Sequence, residues 1–238
     1  SNSFSGIYKA IENASQSIGS PSSEIIQNTN VLIYGTTRAT NAIITGKVAK
    51  TAAIFTKNFK DILIYRSGGK KSPFKLDDEI IPPYVPRHLT LEANERTLSE
   101  GDIHTELDLN DIEKKLTNLK KTDIESIGVC LIWSISNPLH EIKIGELIKS
   151  ILPNISYTLS HQLNPVIREY PRASSTVIDA SLKPLMQNHL KEIRDELFKH
   201  NFSGELLISS SSGGSMHVKD MIEKPIYMVK SGPAMAPI

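Results

Sequence analysis

Short apolar runs of strand length alternate along this chain with segments of helical periodicity, and this alternation constrains the fold more than any other feature. The runs are Val31–Tyr34, Thr51–Phe55, Ser126–Trp133, Ser156–Leu159 and Leu206–Ile208. Buried strands separated by helices are typical of a parallel or mixed sheet whose faces are covered by helices. The sequence therefore predicts an α/β fold built on a mixed sheet with flanking helices.

Helical periodicity marks the segments around these strands. Apolar residues recur at helical spacing from Ile7 to Ile18, and the Gly19–Ser23 stretch ends that helix. Thr36 or Thr37 can cap a second helix that ends at Gly46, where glycine tolerates a positive φ. With its flanking strands, this helix predicts a β-α-β unit. Further helices are expected near Asp111–Leu119, after Pro138, and from Leu182 to Leu197, where Pro184 kinks or starts the helix.

The region from Lys57 to about Gly101 lacks such periodicity. Its charged sequence is interrupted by Gly68-Gly69, Pro73, Pro82-Pro83 and Pro86, so it cannot hold long regular elements. We expect an insertion or a hairpin region there.

Charge and hydropathy exclude several classes of protein. The 27 basic and 26 acidic residues leave a net charge of +1, which gives no electrostatic reason to expect a nucleic-acid or acidic-membrane partner. There is no uninterrupted stretch of about 18 apolar residues and no signal-peptide pattern, so a soluble cytoplasmic protein is expected. The chain opens on Ser1-Asn2 without an initiator methionine, which suggests a tag remnant and a natural N-terminus farther upstream.

The single cysteine, Cys130, lies inside the apolar run Ile127–Ile132. It can form no disulfide within the chain, and a reactive thiol needs an exposed, electropositive setting. We expect Cys130 to pack as a small apolar side chain rather than to act as a nucleophile.

Two loops follow predicted strands and carry groups suited to anions. Gly35-Thr36-Thr37 opens a helix, a geometry that presents backbone N–H groups and hydroxyls to an anion or a carbonyl oxygen. Simple capping of the helix by the threonines is the alternative. Ser209–Gly214 repeats the arrangement, because its glycines allow close approach of the backbone to a phosphate. A flexible turn is the alternative there.

Ionisable side chains concentrate in two places. His140 and Glu141 lie near a predicted helix N-terminus, where the histidine can donate to a substrate and the carboxylate can bind metal or act as a base. The alternative is the preference of acids for a first helical turn. His161 precedes the run Arg168–Arg172, whose arginines suit an anionic substrate, with a surface ion-pair network as the alternative. Walker A, Rossmann, paired-cysteine zinc and nucleophile-elbow motifs are absent from the sequence.

Six motifs follow one another in a fixed order and together extend over nearly the whole chain. They are Tyr34–Ala42, Thr56–Asp61, Asn137–Glu141, Arg168–Thr176, Ser211–Gly214 and Ser231–Ala234. In this order they resemble the hydantoinase A/5-oxoprolinase family, which includes N-methylhydantoinase subunits and subunits of acetone and acetophenone carboxylases. The resemblance implies the two-lobed, ribonuclease H-like fold of actin-like ATPases and sugar kinases.

The resemblance implies an ATP-dependent enzyme that phosphorylates the carbonyl oxygen of a cyclic amide or a ketone. It also implies Mg²⁺ as a cofactor and a hydantoinase B-type subunit or domain as a partner. The loop Gly35–Asn41 and the turn Ser211–Gly214 would then lie towards the interlobe cleft. The catalytic candidates are His140, His161, Glu169 and Arg172. The candidates for cofactor contacts are Gly35, Thr36, Thr37, Asn41, Ser211, Gly213, Gly214 and Gly232.

The resemblance also implies where this chain lies in such a protein. Residues 1–170 correspond to part of an N-terminal lobe, and residues 171–238 to a connecting helix and the start of a second lobe. The two acidic, glycine-rich phosphate loops of the family would precede Ser1 and follow the Ser231–Pro233 segment. We therefore expect an internal fragment that by itself binds neither ATP nor Mg²⁺ and is inactive.

Two positions depart from the family pattern. Members usually carry histidine where Tyr34 stands and asparagine where Ser212 stands, which leaves the choice of substrate open. Three functions remain: hydrolysis of a cyclic amide such as 5-oxoproline or a hydantoin, carboxylation of a ketone, and a non-catalytic role in metabolite binding or assembly.

Overall fold

The computed structural model describes residues 3–68 and 81–234, which form two compact units. The central unit is the continuous segment Ala49–Pro184, and the terminal unit combines Ser1–Val48 with Leu185–Ile238. The predicted breaks at Gly69 and Pro73 and the opening Ser1-Asn2 lie outside the described residues. The division expected at residue 170 concerns the lobes of a longer protein and stays a prediction.

The described residues form short strands, one long helix and several shorter helices. The strands are β1 (Val31–Tyr34), β2 (Thr51–Thr56), β3 (Thr90–Ala93), β4 (Arg96–Thr97), β5 (Ile103–Thr105), β6 (Ser126–Cys130), β7 (Ser156–Leu159), β8 (Glu205–Ser209) and β9 (Ser215–His217). The helices are α1 (Ser3–Ile18), α2 (Ser22–Asn28), α3 (Arg38–Ile44), α4 (Ile62–Tyr65), α5 (Leu109–Leu119), α6 (Leu139–Ile151), α7 (Ser160–Leu163), α8 (Glu169–Lys199), α9 (Val218–Glu223) and α10 (Ser231–Ala234). Two 3₁₀ turns span Arg87–Leu89 and Pro225–Met228.

A four-stranded parallel sheet in the order β3-β2-β6-β7 forms the core of the central unit. Every residue of β2 and β6 is buried, as expected for central strands covered on both faces. Strands β4 and β5 pair as a separate antiparallel hairpin within the Lys57–Gly101 region and just beyond it. The predicted α/β fold with a mixed sheet and flanking helices is confirmed.

Helices approach both faces of β6. A Cβ atom added to Gly128 would lie 3.1 Å from Val177 Cγ1, so α8 packs directly against this strand because glycine leaves room for it. Side chains alternate between faces along a strand, so Ile127 points away from α8 into the buried cluster that includes Ile144 of α6. Leu116 on the amphipathic helix α5 belongs to the same cluster.

In the terminal unit, β1 pairs in parallel with β8, and β8 pairs antiparallel with β9. The β1 strand alternates between exposed and half-buried positions, in contrast to the fully buried β2. The predicted β-α-β unit is therefore wrong, because β1 and β2 belong to different sheets. The chain leaves α3 through Gly46, whose φ of 66° follows the expected end of that helix.

Three predicted boundaries also differ from the structure. Gly19 ends α1 as expected, but α2 then begins directly after Pro21 and buries Ile26. The long helix α8 begins at Glu169 rather than at Pro184, because the buried residues on both sides, including Leu182 and Met186, stabilise helix through the proline. The strand predicted over Ser126–Trp133 ends at Cys130, since the next two N–H groups bond to side chains instead of a neighbouring strand.

Candidate functional site

The carboxyl ends of β2 and β6 form a switch point in the sheet of the central unit. From β2 the chain crosses to β3 on one side, whereas from β6 it passes through α6 to β7 on the other side. In open parallel sheets, ligands bind in the crevice where successive crossovers leave in opposite directions. A ligand site is therefore expected where β2 and β6 end.

A chain of buried polar groups begins at this point. The Ile132 N–H donates to Thr56 Oγ1 at 3.0 Å, and the Thr56 hydroxyl donates to Glu95 Oε1. The second oxygen of Glu95, Oε2, lies 2.8 Å from His140 Nδ1. Glu95 and His140 are only 3% and 2% exposed, so this carboxylate–imidazole pair lies out of solvent.

The other ring nitrogen of His140 has no such partner. Nε2 is buried without a hydrogen bond among the described residues. The carboxylate of the largely exposed Glu106 lies 3.7 Å away, too far for a hydrogen bond. A buried polar atom left unpaired is costly, so Nε2 is open to a partner such as a water molecule, an ion or a ligand. Glu95 thus holds the ring of His140 so that Nε2 is left for another group.

Glu141, the next residue, is a fully buried hydrogen-bond acceptor. Its Oε1 accepts from the Leu131 N–H at 2.8 Å and from the Ser160 hydroxyl at 2.6 Å. Its Oε2 accepts from the His161 N–H at 3.1 Å and lies 2.6 Å from His161 Nδ1. The carboxylate therefore ties the segment after β6 to the segment after β7 and orients the imidazole of His161.

Arg172 supports the same segment from α8. Its guanidinium is buried and donates to the carbonyl oxygens of Leu131 at 2.7 Å and Val166 at 3.1 Å. The Arg172 Nε also lies 3.4 Å from Cys130 Sγ. Burial raises the pKa of the Cys130 thiol to about 11, so it remains a neutral thiol at pH 7, in line with the predicted packing role. Because its guanidinium is buried, Arg172 does not belong to a surface ion-pair network, which was the alternative for the run Arg168–Arg172.

The loop after β6 carries backbone strain. Trp133 has a φ of 56°, a left-handed conformation that is unfavourable for a bulky side chain. Asn137 holds the end of the loop, because its Nδ2 donates to the Gly101 carbonyl at 2.8 Å and its Oδ1 accepts from the Leu139 N–H at 3.1 Å. Strained residues held by their surroundings cluster at ligand sites.

The structure brings together three of the four catalytic candidates. His140, His161 and Arg172 converge on the end of β6, whereas Glu169 lines a different cavity of about 520 Å³ with Asn58. Sequence reasoning missed Thr56 and Glu95 as members of the network. Thr56 opens one of the motifs and was detectable in principle, but Glu95 follows β3, a strand that no periodicity marked.

In the terminal unit, the candidates Thr36, Thr37 and Asn41 line a cavity of about 550 Å³. The Thr36 hydroxyl oxygen accepts from the Arg38 N–H at 3.2 Å, and Asn41 Nδ2 donates to Thr37 Oγ1 at 3.3 Å. Thr37 occupies the N-cap position of α3 without a side-chain hydrogen bond to the helix backbone, so the predicted capping by Thr37 is wrong. Contact of this loop with a ligand stays a prediction. The remaining cavity lining is Tyr34, Arg38, Ala42, Thr45, Lys47, Leu185 and His189.

Gly232 packs directly against this loop. A Cβ atom at Gly232 would lie 2.7 Å from Thr37 Cγ2, so a larger residue here would force the Thr37 side chain to move. The Lys230 N–H also donates to Thr40 Oγ1 at 2.8 Å, and the Ser231 hydroxyl lies 3.4 Å from the Thr36 carbonyl. The motif around Gly232 therefore supports the loop that follows Gly35.

Ser211, Gly213 and Gly214 form the turn between β8 and β9. The Ser210 N–H donates to the Gly214 carbonyl at 3.0 Å, and both glycines have positive φ, 90° and 70°. The expected repeat of the strand-to-helix arrangement is wrong, because this turn leads into an antiparallel strand. A hairpin turn needs these glycines for its backbone conformation. Contact of the turn with phosphate stays a prediction.

Within residues 3–68 and 81–234, no group of three or more His, Cys, Asp or Glu side chains could hold a metal ion. None of the helices described is long and apolar enough to cross a membrane.

Two family models match the chain. The model of the hydantoinase/oxoprolinase N-terminal region matches residues 1–152, and that of hydantoinase/oxoprolinase matches residues 172–236. Caprolactamase subunit alpha of Pseudomonas jessenii is 30% identical over 97% of this chain and 34% of that protein. The acetophenone carboxylase gamma subunit of Aromatoleum aromaticum is 26% identical over 90% of this chain and 31% of that protein. The 5-oxoprolinase of Dictyostelium discoideum is 27% identical over 84% of this chain and 17% of that protein.

Two solved structures superpose on nearly the whole of this chain and therefore share its fold. The ATP-dependent caprolactamase of Pseudomonas jessenii superposes with a TM-score of 0.86 at 28% identity, over 96% of this chain and 33% of that one. Nucleotide-free acetone carboxylase superposes with a TM-score of 0.86 at 20% identity, over 98% of this chain and 35% of that one. The chain spans about a third of the length of the caprolactamase and acetophenone carboxylase subunits it matches.

Proposed function

Because the chain belongs to the hydantoinase/oxoprolinase family, we propose that it forms part of an ATP-dependent hydrolase that activates the carbonyl of a cyclic amide of the 5-oxoproline or hydantoin type. The observation that carries the proposal is the buried Thr56–Glu95–His140 chain at the switch point of the sheet, with His140 Nε2 left unpaired. Two of the relatives, caprolactamase and 5-oxoprolinase, are named for activities of this kind.

Hydrolysis of a cyclic amide requires a base near the carbonyl carbon of the substrate, where water attacks. Transfer of a phosphoryl group from ATP to the carbonyl oxygen of an amide would make the carbonyl carbon a better electrophile. Water would then add to that carbon, the C–N bond would break as its nitrogen takes up a proton, and hydrolysis of the remaining acyl phosphate would give the carboxylate and phosphate. A carboxylate that accepts from Nδ1–H fixes the imidazole tautomer in which Nε2 carries the lone pair. Glu95 stands in this relation to His140, so Nε2 is the atom that accepts the proton of the attacking water.

The cofactors and the partner belong to the complete enzyme. The phosphates of ATP suit the chemistry of the terminal-unit cavity, where Arg38, Lys47 and threonine hydroxyls are available to an anion. Mg²⁺ would be bound together with the phosphates of ATP, and no residue of this chain is assigned to it. A second, hydantoinase B-type subunit or domain is part of the proposal, because the relatives are themselves named as alpha and gamma subunits.

The test is phosphate release from ATP by the full-length protein with its co-purifying partner, measured with 5-oxoproline, hydantoin, caprolactam, acetone and acetophenone. Stimulation by a cyclic amide is expected, and the 238-residue chain alone serves as the inactive reference. The variant His140→Asn keeps a donor for Glu95 but loses Nε2, and it should lower turnover by about 10²–10⁴-fold. His104→Asn, an exposed histidine on β5, is the matched control. Full activity of His140→Asn would refute the assigned role.

A ketone carboxylase is the second candidate, favoured by the similarity to the acetophenone carboxylase gamma subunit. In that reaction, the base at Nε2 would remove a proton from the carbon next to the carbonyl instead of from water. Phosphate release that requires both a ketone and bicarbonate would identify this activity. If no compound stimulates phosphate release by folded protein with its partner, the non-catalytic metabolite-binding or assembly role replaces both.

A further inference from the structure

The cavity that Glu169 lines belongs to the central unit. Among the described residues, its wall shares none with the buried chain of polar groups that ends at His140. Its volume of about 520 Å³ lies in the range of sites for small organic molecules, about 300–1,000 Å³. The wall combines two segments that are far apart in the sequence, the stretch from Asn58 to Arg66 around α4 and the first residues of α8. The fold therefore builds a cavity of ligand size here that the proposed reaction does not use.

Among the described residues, the wall of this cavity has one free cation and one free anion. Arg66 and Glu169 both line it, and neither forms an ion pair with the other or with any further residue that the structure describes. The third charged side chain, Asp61, is already neutralised, because Arg87 donates to its two carboxylate oxygens at 2.6 and 3.2 Å. Opposite charges that line one cavity without pairing are complementary to a ligand that carries both charges.

Much of the remaining wall is aromatic. Phe59, Tyr65 and Tyr170 line the cavity, and Tyr65 is 74% exposed. The Arg96 guanidinium lies 5.2 Å from the centre of the Phe59 ring, which leaves the two tyrosine rings for a ligand. Aromatic faces attract both methylene groups and ammonium groups. The wall therefore suits an ammonium group that is carried on an apolar body.

The backbone at Arg66 is strained. Its φ of 58° and ψ of −134° define a conformation that only glycine adopts readily. The residue is held in this conformation at the end of α4, where its N–H donates to the Ile62 carbonyl at 2.9 Å. Strained residues that their surroundings hold in place cluster at ligand sites, so the strain at Arg66 is a second sign of a binding function.

We propose that this cavity binds an amino acid in its zwitterionic form. Arg66 pairs with the carboxylate and Glu169 with the ammonium group, while the ring of Tyr65 covers the carbon chain. The inference rests on the proposed function, because hydrolysis of a lactam leaves an amine and a carboxylate on one molecule, whereas the amide of the lactam carries neither charge. The cavity then takes the ring-opened product rather than the substrate. Ring opening of a hydantoin leaves the nitrogen in a neutral urea group, so this site narrows the proposed substrates to lactams.

Titration calorimetry on the full-length protein without ATP tests the site with probes of one chain length. 6-Aminohexanoate carries both charges, hexanoate carries only the carboxylate, and hexylamine carries only the ammonium group. We expect 6-aminohexanoate to bind about tenfold more tightly than either of the other two, since each of them lacks one charged contact. Added salt should weaken its binding.

Two variants separate the two charged contacts. Arg66→Gln should bind 6-aminohexanoate only as weakly as hexylamine, and Glu169→Gln should bind it only as weakly as hexanoate, a loss of about tenfold in each case. Lys149→Gln removes an exposed charge of the same unit outside the cavity wall and should leave all the affinities unchanged. The fluorescence of Trp133, which belongs to the same unit, verifies that each variant is folded.

Glutamate, the ring-opened form of 5-oxoproline, extends the comparison to a smaller lactam. Preference for glutamate or for 6-aminohexanoate supports the proposal and indicates the ring size of the substrate. If neither amino acid binds more tightly than hexanoate and hexylamine, or if either cavity variant binds them as wild type does, the proposal is wrong. That result would leave the proposed hydrolase intact, because phosphate release stimulated by a cyclic amide tests the hydrolase separately and does not depend on what this cavity binds.

Discussion

Replacing Glu141 with alanine should destabilise the central unit substantially. The carboxylate accepts hydrogen bonds from Leu131, Ser160 and His161. In the variant, the Ser160 hydroxyl can still pair with Ser134, 3.2 Å away, and the partly exposed imidazole of His161 can reach water. The Leu131 and His161 N–H groups lose their acceptor. An unsatisfied buried donor costs about 1–3 kcal/mol, so the free energy of unfolding should fall by about 2–6 kcal/mol.

The chain contains its own probe for this measurement. Trp133, the single tryptophan, lies in the loop whose start is held by Glu141, so its fluorescence reports unfolding of the central unit. Urea titration of wild type and Glu141→Ala gives the two free energies of unfolding from the midpoints and slopes. Glu113→Ala, an exposed acid inside α5, is the control and should stay within about 0.5 kcal/mol of wild type.

The conservative variant Glu141→Gln tests the reasoning more closely. Its amide oxygen can keep the bonds from Leu131 and Ser160, but its amide nitrogen faces the two donors of His161. Its free energy of unfolding should lie between those of Glu141→Ala and wild type. If Glu141→Ala unfolded at the wild-type urea midpoint with an unchanged slope, the buried acceptor would not be what holds this loop.

Three further outcomes follow from particular contacts. Cys130, with its pKa raised to about 11, should resist alkylation by iodoacetamide at pH 8 in the folded chain and react rapidly in urea; equal rates would contradict this. Because the pKa of His189 is lowered in the folded state, the unfolded chain takes up the proton first, and stability should fall as pH drops below 6.5. Thermal unfolding of His189→Gln should show a smaller loss over that range. Gly204→Ala would place a Cβ against the backbone oxygens of Thr29 and Asn30, so it should lower the melting temperature clearly, whereas the open position Gly6→Ala should not.

Local sequence patterns predicted the positions of strands and helices better than they predicted which strands pair with each other. The strands at Thr51, Ser126, Ser156 and Leu206 follow from apolar runs that any reader of the sequence can find, and the structure confirms them. Nothing local indicates that Val31–Tyr34 pairs with β8 near the other end of the chain rather than with the next strand. Pairing depends on which buried surfaces meet, and this information is distributed over the whole sequence.

The candidate site shows the same limit. The family resemblance is confirmed, and its motifs contain His140 and Arg172, whereas His161 was a candidate because it precedes Arg168. The structure brings these three residues together. Sequence reasoning missed Glu95 because no motif or periodicity marks it. Its role becomes visible only in the folded chain, where one of its carboxylate oxygens lies beside His140. The catalytic and cofactor roles of all these residues stay predictions until the variants are measured.

The order in which the two units are assembled from the chain has a consequence during protein synthesis. The central unit is one continuous segment, so all its strands have been synthesised before α8 is complete. The sheet of the terminal unit can form only later, because β1 is synthesised early and its partner β8 is synthesised late. Until then β1 offers an unpaired strand edge, which is open to wrong pairing or chaperone binding. We expect a nascent chain stopped before Glu205 to protect the central unit from protease while the segment around Val31 is still cleaved.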